Sequence, residues 1–544
     1  MRCVAACVAM VLAARLGFGL PSRIDDSSRF EVPEGLLLGA AVMAVQTEGA
    51  WNASGKSESA ADRLFHTLRE TFPESHDTAA DSYHRYKEDV AMAAQLKLKL
   101  FKFSMSWSRI LPTADATKNN SAGVQFYHDL IKEIKSNGMT PMVMMNNLDH
   151  PQILEDQFQG WQSPKMIEKF TEYAGFLFDE YGQEVPLWAS INEPIMYCSY
   201  FNILFARAKV HKTATSEDMY TCIYHTILAH KEAYKIFKEG RQRGKYVGQL
   251  GFTALLMYAQ PASTSAEDVY ASHVYNQVLT GTLLNPVVHG DYPQISKDIL
   301  GSKLPQFTPG EKTDLIDSTD FIGLNVYFDY TVGYKRANRS VRDNYNDLGF
   351  NPMLEAVHMM RQDLPFVEVF GGQASFSDIR PEVMKAGLLW THSSYKKPVI
   401  ICENGFGDIN GYGVHDHQRA AYHSAALRTL VTTVKDFGVK VLAYNAWSLI
   451  DSFEFTAGYS RPFGLVHVDY KSGSLNRTLK DSSSFWIEMA DTGVVPHVQP
   501  EGSTTASPAT PTTMPTPSTP MPSSSAGSGG SLLLLAVLML YALQ

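Results

Sequence analysis

The chain has 544 residues, with 47 Lys and Arg against 56 Asp and Glu, a formal charge of −9. Hydrophobic residues make up 44% and charged residues 19%, an ordinary globular composition that excludes wholesale disorder and collagen-like repeats. A mildly acidic chain has no polyelectrolyte attraction for phosphate backbones, which argues against a nucleic-acid partner, and no apolar run reaches the ~20 residues of a spanning helix.

In chain order, Met1-Arg2 is a short basic start, and Cys3 to Leu16 is mostly Ala, Val, Cys and Leu. Small residues at Gly17-Phe18-Gly19 precede a polar stretch from Pro21, so residues 1–20 read as a secretory signal peptide. Eight short apolar or β-rich stretches follow: 36–41, 100–104, 142–145, 188–191, 247–252, 321–324, 399–401 and 441–444. Segments with helical spacing separate many of them. Asp81–Leu96, Val124–Lys135 and Pro164–Tyr181 are three, the second stopped by Asn137-Gly138. Short buried strands between helices predict a parallel sheet. About 460 residues without an internal linker favour an α/β fold, a single (β/α)8 barrel with long βα loops over 30–490. A doubly wound sheet is the alternative, but no Gly-rich phosphate turn follows the first strand.

Residues 500–531 are almost only Ser, Thr, Pro, Ala, Gly and Met, a composition that cannot bury a core and suits a disordered, O-glycosylated stalk. Residues 532–544 are apolar and uncharged, too short to span a bilayer. Small residues at Ser523-Ser524-Ser525, a polar spacer and this tail fit a GPI-attachment signal, with membrane contact only through the lipid. The expected localisation is the secretory pathway and the cell surface. With Cys3 and Cys7 lost with the signal, Cys198, Cys222 and Cys402 remain; their number is odd and their spacing is not metal-like. A Cys198–Cys222 bridge is left open. Sequons at Asn52, Asn119, Asn338 and Asn476 agree with a secreted route.

Polar residues gather where the predicted strands end. Trp188–Ile191 runs into Asn192-Glu193-Pro194, and Val399–Cys402 runs into Glu403-Asn404-Gly405. A carboxylate directly after a buried strand stands at a barrel's C-terminal rim. Two of them, on the fourth and seventh strands, can face each other across the mouth. Such a pair suits glycoside hydrolysis, one acid protonating the leaving oxygen and one anion meeting the oxocarbenium-like carbon. Gln46 and Glu48 follow strand one, while Trp447 and Glu454-Phe455 follow strand eight. Indole faces, amides and carboxylates around a rim suit a sugar ring.

Several segments together resemble the family 1 glycoside hydrolases, the group of β-glucosidases, lactase and klotho-type proteins. They are Gln46–Asn52, Phe103–Ile110, Asn192-Glu193-Pro194, Phe321–Tyr327, Ile401–Gly405, Ala446–Glu454, Phe463-Gly464-Leu465 and Val468-Asp469-Tyr470. The resemblance implies a retaining double displacement with Glu193 as acid/base and Glu403 as nucleophile. It places Asn192 on the sugar 2-hydroxyl, Tyr327 beside the nucleophile, Gln46 and Glu454 on outer hydroxyls and Trp447 under the ring. Asn147, Asn325, Lys102 and Phe455 complete the expected substrate-binding set. No metal or cofactor is implied; the implied partner is a small-molecule or oligosaccharide β-glycoside, with no nucleic acid and the oligomeric state open.

The chain departs from the pattern in the glycone site. Where the family usually reads Tyr-His-Trp-Asp-Leu-Pro, this chain reads Asn146-Asn147-Leu148-Asp149-His150-Pro151. Lys102 stands for the usual Arg near the nucleophile, and Phe455 for the usual Trp after Glu454. A β-glycosidase with an altered sugar site is therefore expected; the alternative is a catalytically weak or inactive, klotho-type sugar-binding or receptor-like relative.

Overall fold

All eight expected strands form, and they close into a barrel. The computed structural model describes residues 27–335, 363–372 and 376–501. The signal peptide, the Asn338 sequon, the GPI signal and all but the first two residues of the stalk lie outside the described residues. Residues up to Glu501 form one compact unit; a second, Gly502–Gln544, is not described.

Nine strands make the main sheet: β1 Leu37–Val42, β2 Leu100–Ser104, β3 Thr140–Asn146, β4 Leu187–Ile191, β5 Gln249–Pro261, β6 Ile322–Tyr334, β7 Val367–Gly372, β8 Val399–Asn404 and β9 Val441–Trp447. Their order is β5-β4-β3-β2-β1-β9-β8-β6-β7, and a β5–β6 pairing closes the ring. The eight ring strands pair in parallel; β7 lies antiparallel on β6, outside the ring. β2 and β4 are buried at every position, the signature of strands covered on both faces.

The three predicted helices appear as Ser82–Gln95, Ser121–Ser136 and Lys165–Tyr181. The second starts three residues early, because Ser121-Ala122-Gly123 carry no apolar signal. A longer helix, Ser216–Gln242, starts at a capping box in which Thr215 and Asp218 satisfy each other's backbone N–H groups. A disulfide ties Cys222 of this helix to Cys198, in the segment just after Glu193, with Cα atoms 5.5 Å apart. Cys402 is free and buried.

β5 and β6 outrun their expected lengths. They stay paired from Phe252↔Ile322 to Pro261↔Val332 across a bulge at Leu255/Met257. Past the barrel rim each satisfies the other's backbone groups, with β7 covering β6 beyond, so the polar residues in this stretch do not end either strand. Two further irregularities sit where the chemistry is expected, at Leu324/Asn325 of β6 and between Ile401 and Asn404 of β8. Such shifts re-aim side chains at barrel rims. Gly405 follows, and a Cβ there would lie 1.8 Å from the Trp447 carbonyl oxygen. Only glycine lets the chain leaving β8, two residues after Glu403, approach the end of β9 this closely.

Candidate active site

The C-terminal ends of the strands surround a cavity of about 200 Å³. Glu193 and Glu403 both line it, the first after β4 and the second near the end of β8. Glu193 sits in the left-handed region, at φ 43° and ψ 60°, immediately before Pro194 opens a short helical turn. A proline disfavours right-handed helix in the residue before it. A left-handed glutamate costs roughly 1–3 kcal/mol and persists only where its surroundings over-determine it. Leu148 and Phe455, also on the cavity wall, share this strain, at φ 71° and 51°.

The two carboxylates are held by different partners. Lys102 Nζ donates to Glu403 Oε1 at 2.9 Å, and the Tyr327 hydroxyl donates to Oε2 at 3.1 Å. Burial holds the Tyr327 phenol well above its ordinary range, so it remains a donor. Next along the chain, Asn404 donates to the Val326 carbonyl at 2.6 Å and accepts from the Tyr444 hydroxyl at 2.7 Å, fixing the strand end. Glu193 Oε1 accepts from Asn325 Nδ2 at 2.7 Å. Burial, reinforced by the nearby charge of Glu403, pushes the Glu193 carboxyl well above the usual range. The arrangement therefore favours one anionic carboxylate gripped by a cation and one protonated carboxyl beside it.

The remaining expected residues divide into two groups. Gln46, Asn147, Asn192, Tyr327, Trp447, Glu454 and Phe455 line the cavity. Lys102 and Asn325 do not; both are fully buried and touch the carboxylates from behind. Asn192 donates from Nδ2 to Asn147 Oδ1 at 3.1 Å and accepts from Asn325 at 3.2 Å, forming an amide chain across the floor. Gln46 Nε2 donates to the Phe453 carbonyl at 2.9 Å. Ser452 donates to Glu454 Oε1 at 2.9 Å, yet burial pushes the Glu454 carboxyl up to about 8. Glu48, read from the sequence as a rim carboxylate, lies outside the cavity, held by Arg109 Nε at 2.9 Å and the Tyr127 hydroxyl at 2.6 Å.

Other residues on the wall carried no sequence signal. Tyr197 donates to Glu155 Oε1 at 2.7 Å. Glu155 also meets His150 Nε2 and His211 Nε2, each at 2.6 Å. Burial works to raise this carboxyl, but the two imidazoles hold it below the usual range. His150 stands where the family pattern has Leu, so the departure there joins a buried network rather than packing a core. Arg461 and Phe376 also reach the cavity. Among the described residues one cluster has metal-ligand types, His66, His76 and Asp77. It lies off the cavity, and its imidazoles are engaged by Asp77 and Asp62 at 2.8 Å.

A closed parallel barrel with glutamates at the ends of its fourth and seventh ring strands, sharing one cavity, defines a glycoside-hydrolase architecture. The profile of "Glycosyl hydrolase family 1" matches residues 28–494. A furostanol glycoside 26-O-beta-glucosidase of Hellenia speciosa is 33% identical, covering 87% of this chain and 85% of its own. Beta-glucosidase 5 of Oryza sativa subsp. japonica is 31% identical, covering 89% of this chain and 95% of its own. Among solved structures, an aphid myrosinase superposes with a TM-score of 0.76 at 29% identity, over 86% of this chain and 100% of its own. A rice β-glucosidase described in a covalent complex with Glc superposes with a TM-score of 0.75 at 29% identity, over 85% of this chain and 98% of its own. The chain belongs to glycosyl hydrolase family 1 and is a β-glycosidase of the β-glucosidase type.

Proposed function

We propose that this β-glycosidase retains anomeric configuration through a double displacement. Glu403 attacks the anomeric carbon while Glu193 protonates the departing oxygen. Glu193 then deprotonates the water that hydrolyses the glycosyl-enzyme. The observation that carries this reading is the opposite treatment of two carboxyls on one cavity. Glu403 has a cation on one oxygen and a phenol on the other, whereas Glu193 is buried beside that anion and pushed toward its protonated form. The rice relative's covalent complex with Glc supports the same route.

In this reading Asn192 meets the 2-hydroxyl, Trp447 stacks under the ring, and Gln46 and Glu454 address outer hydroxyls. Asn147, Leu148 and Phe455 make the glycone site unlike that of a standard β-glucosidase. The klotho-type alternative requires the altered face to have cost catalysis, but both carboxylates and their donors remain in place. Product anomer, read by NMR during hydrolysis of an aryl β-glycoside, tests the mechanism: β-product first supports it, and α-product first removes Glu403 as nucleophile.

We read the protein as secreted and GPI-anchored, its stalk holding the barrel off the membrane. The Cys198–Cys222 disulfide supports an oxidising compartment. Asn52, Asn119 and Asn476 are all exposed, as glycan acceptors must be. Among the described residues no helix is long and apolar enough to cross a membrane. Release from cells by a phosphatidylinositol-specific phospholipase C tests the anchor; recovery of a peptide ending in Gln544 from mature surface protein excludes it.

A further inference from the structure

Arg461 lies in the loop between Glu454 and Phe463 and lines the cavity together with them. Four other arginines with buried or half-buried side chains are paired: Arg109 with Glu48, Arg419 with Asp416, Arg477 with Asp89 and Arg241 with Asp320. Arg461 is not. Its guanidinium carbon lies 5.4 Å from the Phe376 ring centroid, its Nε is buried without a hydrogen-bond partner, and it forms no ion pair among the described residues. A guanidinium stays charged in a protein, and a desolvated charge without a counter-ion is unfavourable. An arginine held by an aromatic face and left open toward a ligand cavity is arranged for a planar or tetrahedral oxyanion.

Neither Glu403 nor Glu454 supplies that anion. Glu403 is engaged by Lys102 and Tyr327. Glu454 feels Arg461 only through space, and burial pushes its carboxyl up to about 8, so near neutral pH it presents little negative charge against an incoming anion. The position of Arg461 sets where the anion must be. It belongs to the same loop as Glu454, the residue that addresses the outer hydroxyls of the glycone, and not to the Asn192–Asn147 floor.

We propose that the natural glycone is an acidic sugar, whose carboxylate, sulfate or phosphate on its outer edge pairs with Arg461. This inference rests on the glycosidase reading above, which it deepens by naming the substrate class. Asn147, Leu148 and Phe455 then belong to a pocket redirected from neutral glucose and not to a decayed one.

The test compares kcat/KM of the purified protein on 4-nitrophenyl β-glucoside with that on its β-glucuronide, 6-sulfate and 6-phosphate counterparts. At least one acidic substrate should exceed the neutral one by about tenfold or more, and the three arms identify which anion. That acidic-to-neutral ratio should fall about tenfold in Arg461→Gln, and less in Arg461→Lys, which keeps the charge without the fork. Circular dichroism confirms that each variant is folded. Calorimetric titration with non-hydrolysable thio-linked glucuronide, 6-sulfate, 6-phosphate and neutral glucoside needs no turnover. Anion-selective binding with no hydrolysis of any substrate would keep the inference and overturn the hydrolase reading. Neutral substrate preferred over all three acidic ones, or a ratio unchanged in Arg461→Gln, would overturn the inference.

Discussion

The two sides of the cavity are built to different tolerances. Around Glu403 and Glu193 the contacts are shared and mostly buried: Lys102, Tyr327 and Asn325 touch the carboxylates directly, and Asn404 locks the strand end behind them. Removing one member strands another. Elsewhere on the lining Asn147 spends its oxygen on Asn192, while the Leu148 and Phe455 side chains have no polar atoms to offer a sugar. These last two sit on loops beyond the strand ends, with left-handed backbones. Residues there can change without disturbing strand pairing; inside β2 the replacement of Arg by Lys102 keeps a cation on Glu403. The two carboxylates and their donors thus stand intact beside a set of altered residues.

The sharpest way to break this comparison is Glu403→Gln, which should lower turnover by about 10³-fold or more because no anion remains to form the intermediate. Glu193→Ala should cost alkyl β-glycosides about 10²–10⁴-fold in kcat/KM, while aryl substrates with good leaving groups lose far less. Equal losses on both substrate types would remove Glu193 as the acid. Lys102→Met removes a charge-assisted bond worth ~1.5–3 kcal/mol, so kcat should fall about 10–150-fold. Such a loss would mark Lys102 as a positioning residue acting from behind the nucleophile.

Stability against pH sharpens the electrostatic side. The folded state raises the Glu454 carboxyl to about 8, so between the ordinary carboxylate range and pH 8 the native protein binds a proton that the unfolded chain has lost. Stability contributed by this site therefore falls as pH rises through that window. Glu454→Gln cannot ionise, so its melting temperature should drop less between pH 5 and pH 8 than that of the parent. Identical slopes would mean that Glu454 titrates normally.

The smallest effect is expected on the altered wall. Asn147→His, Leu148→Trp and Phe455→Trp together should raise kcat/KM on aryl β-glucosides by about tenfold, if two restored hydrogen bonds return roughly 1.4 kcal/mol. Phe455 packs against Phe201 with ring centroids 5.3 Å apart, so the triple variant must first be shown to be folded. High activity of the parent on neutral aryl β-glucosides would show the substitutions to be neutral.

Much of this was legible in the sequence for a physical reason. Strands buried on both faces read as short, mostly apolar runs, so Leu100–Ser104 and Trp188–Ile191 stood out, and carboxylates following such runs marked the rim. The outer halves of β5 and β6 were not legible, because their pairing with each other and with β7 is long-range. Lys102 and Asn325 were recognisable as site residues, but their place behind the carboxylates depends on which way β2 and β6 face. Arg461 and His211 gave no signal, since isolated polar residues in loops have no periodicity, and the bonding of Glu155 to His150 and His211 is a tertiary feature that the sequence neighbours of these residues do not reveal. The Cys198–Cys222 bridge was open for the same reason: spacing of 24 residues says nothing about Cα atoms 5.5 Å apart.

The most direct test of the central claim is to trap the intermediate. A 2-deoxy-2-fluoro aryl β-glycoside carrying an activated leaving group slows breakdown of a glycosyl-enzyme more than its formation. Incubation followed by peptide mass spectrometry should find one fluoroglycosyl group, on the peptide containing Glu403, and none in Glu403→Gln. A label on another residue, or hydrolysis of the parent glycoside with inverted product and no covalent adduct, would contradict the account.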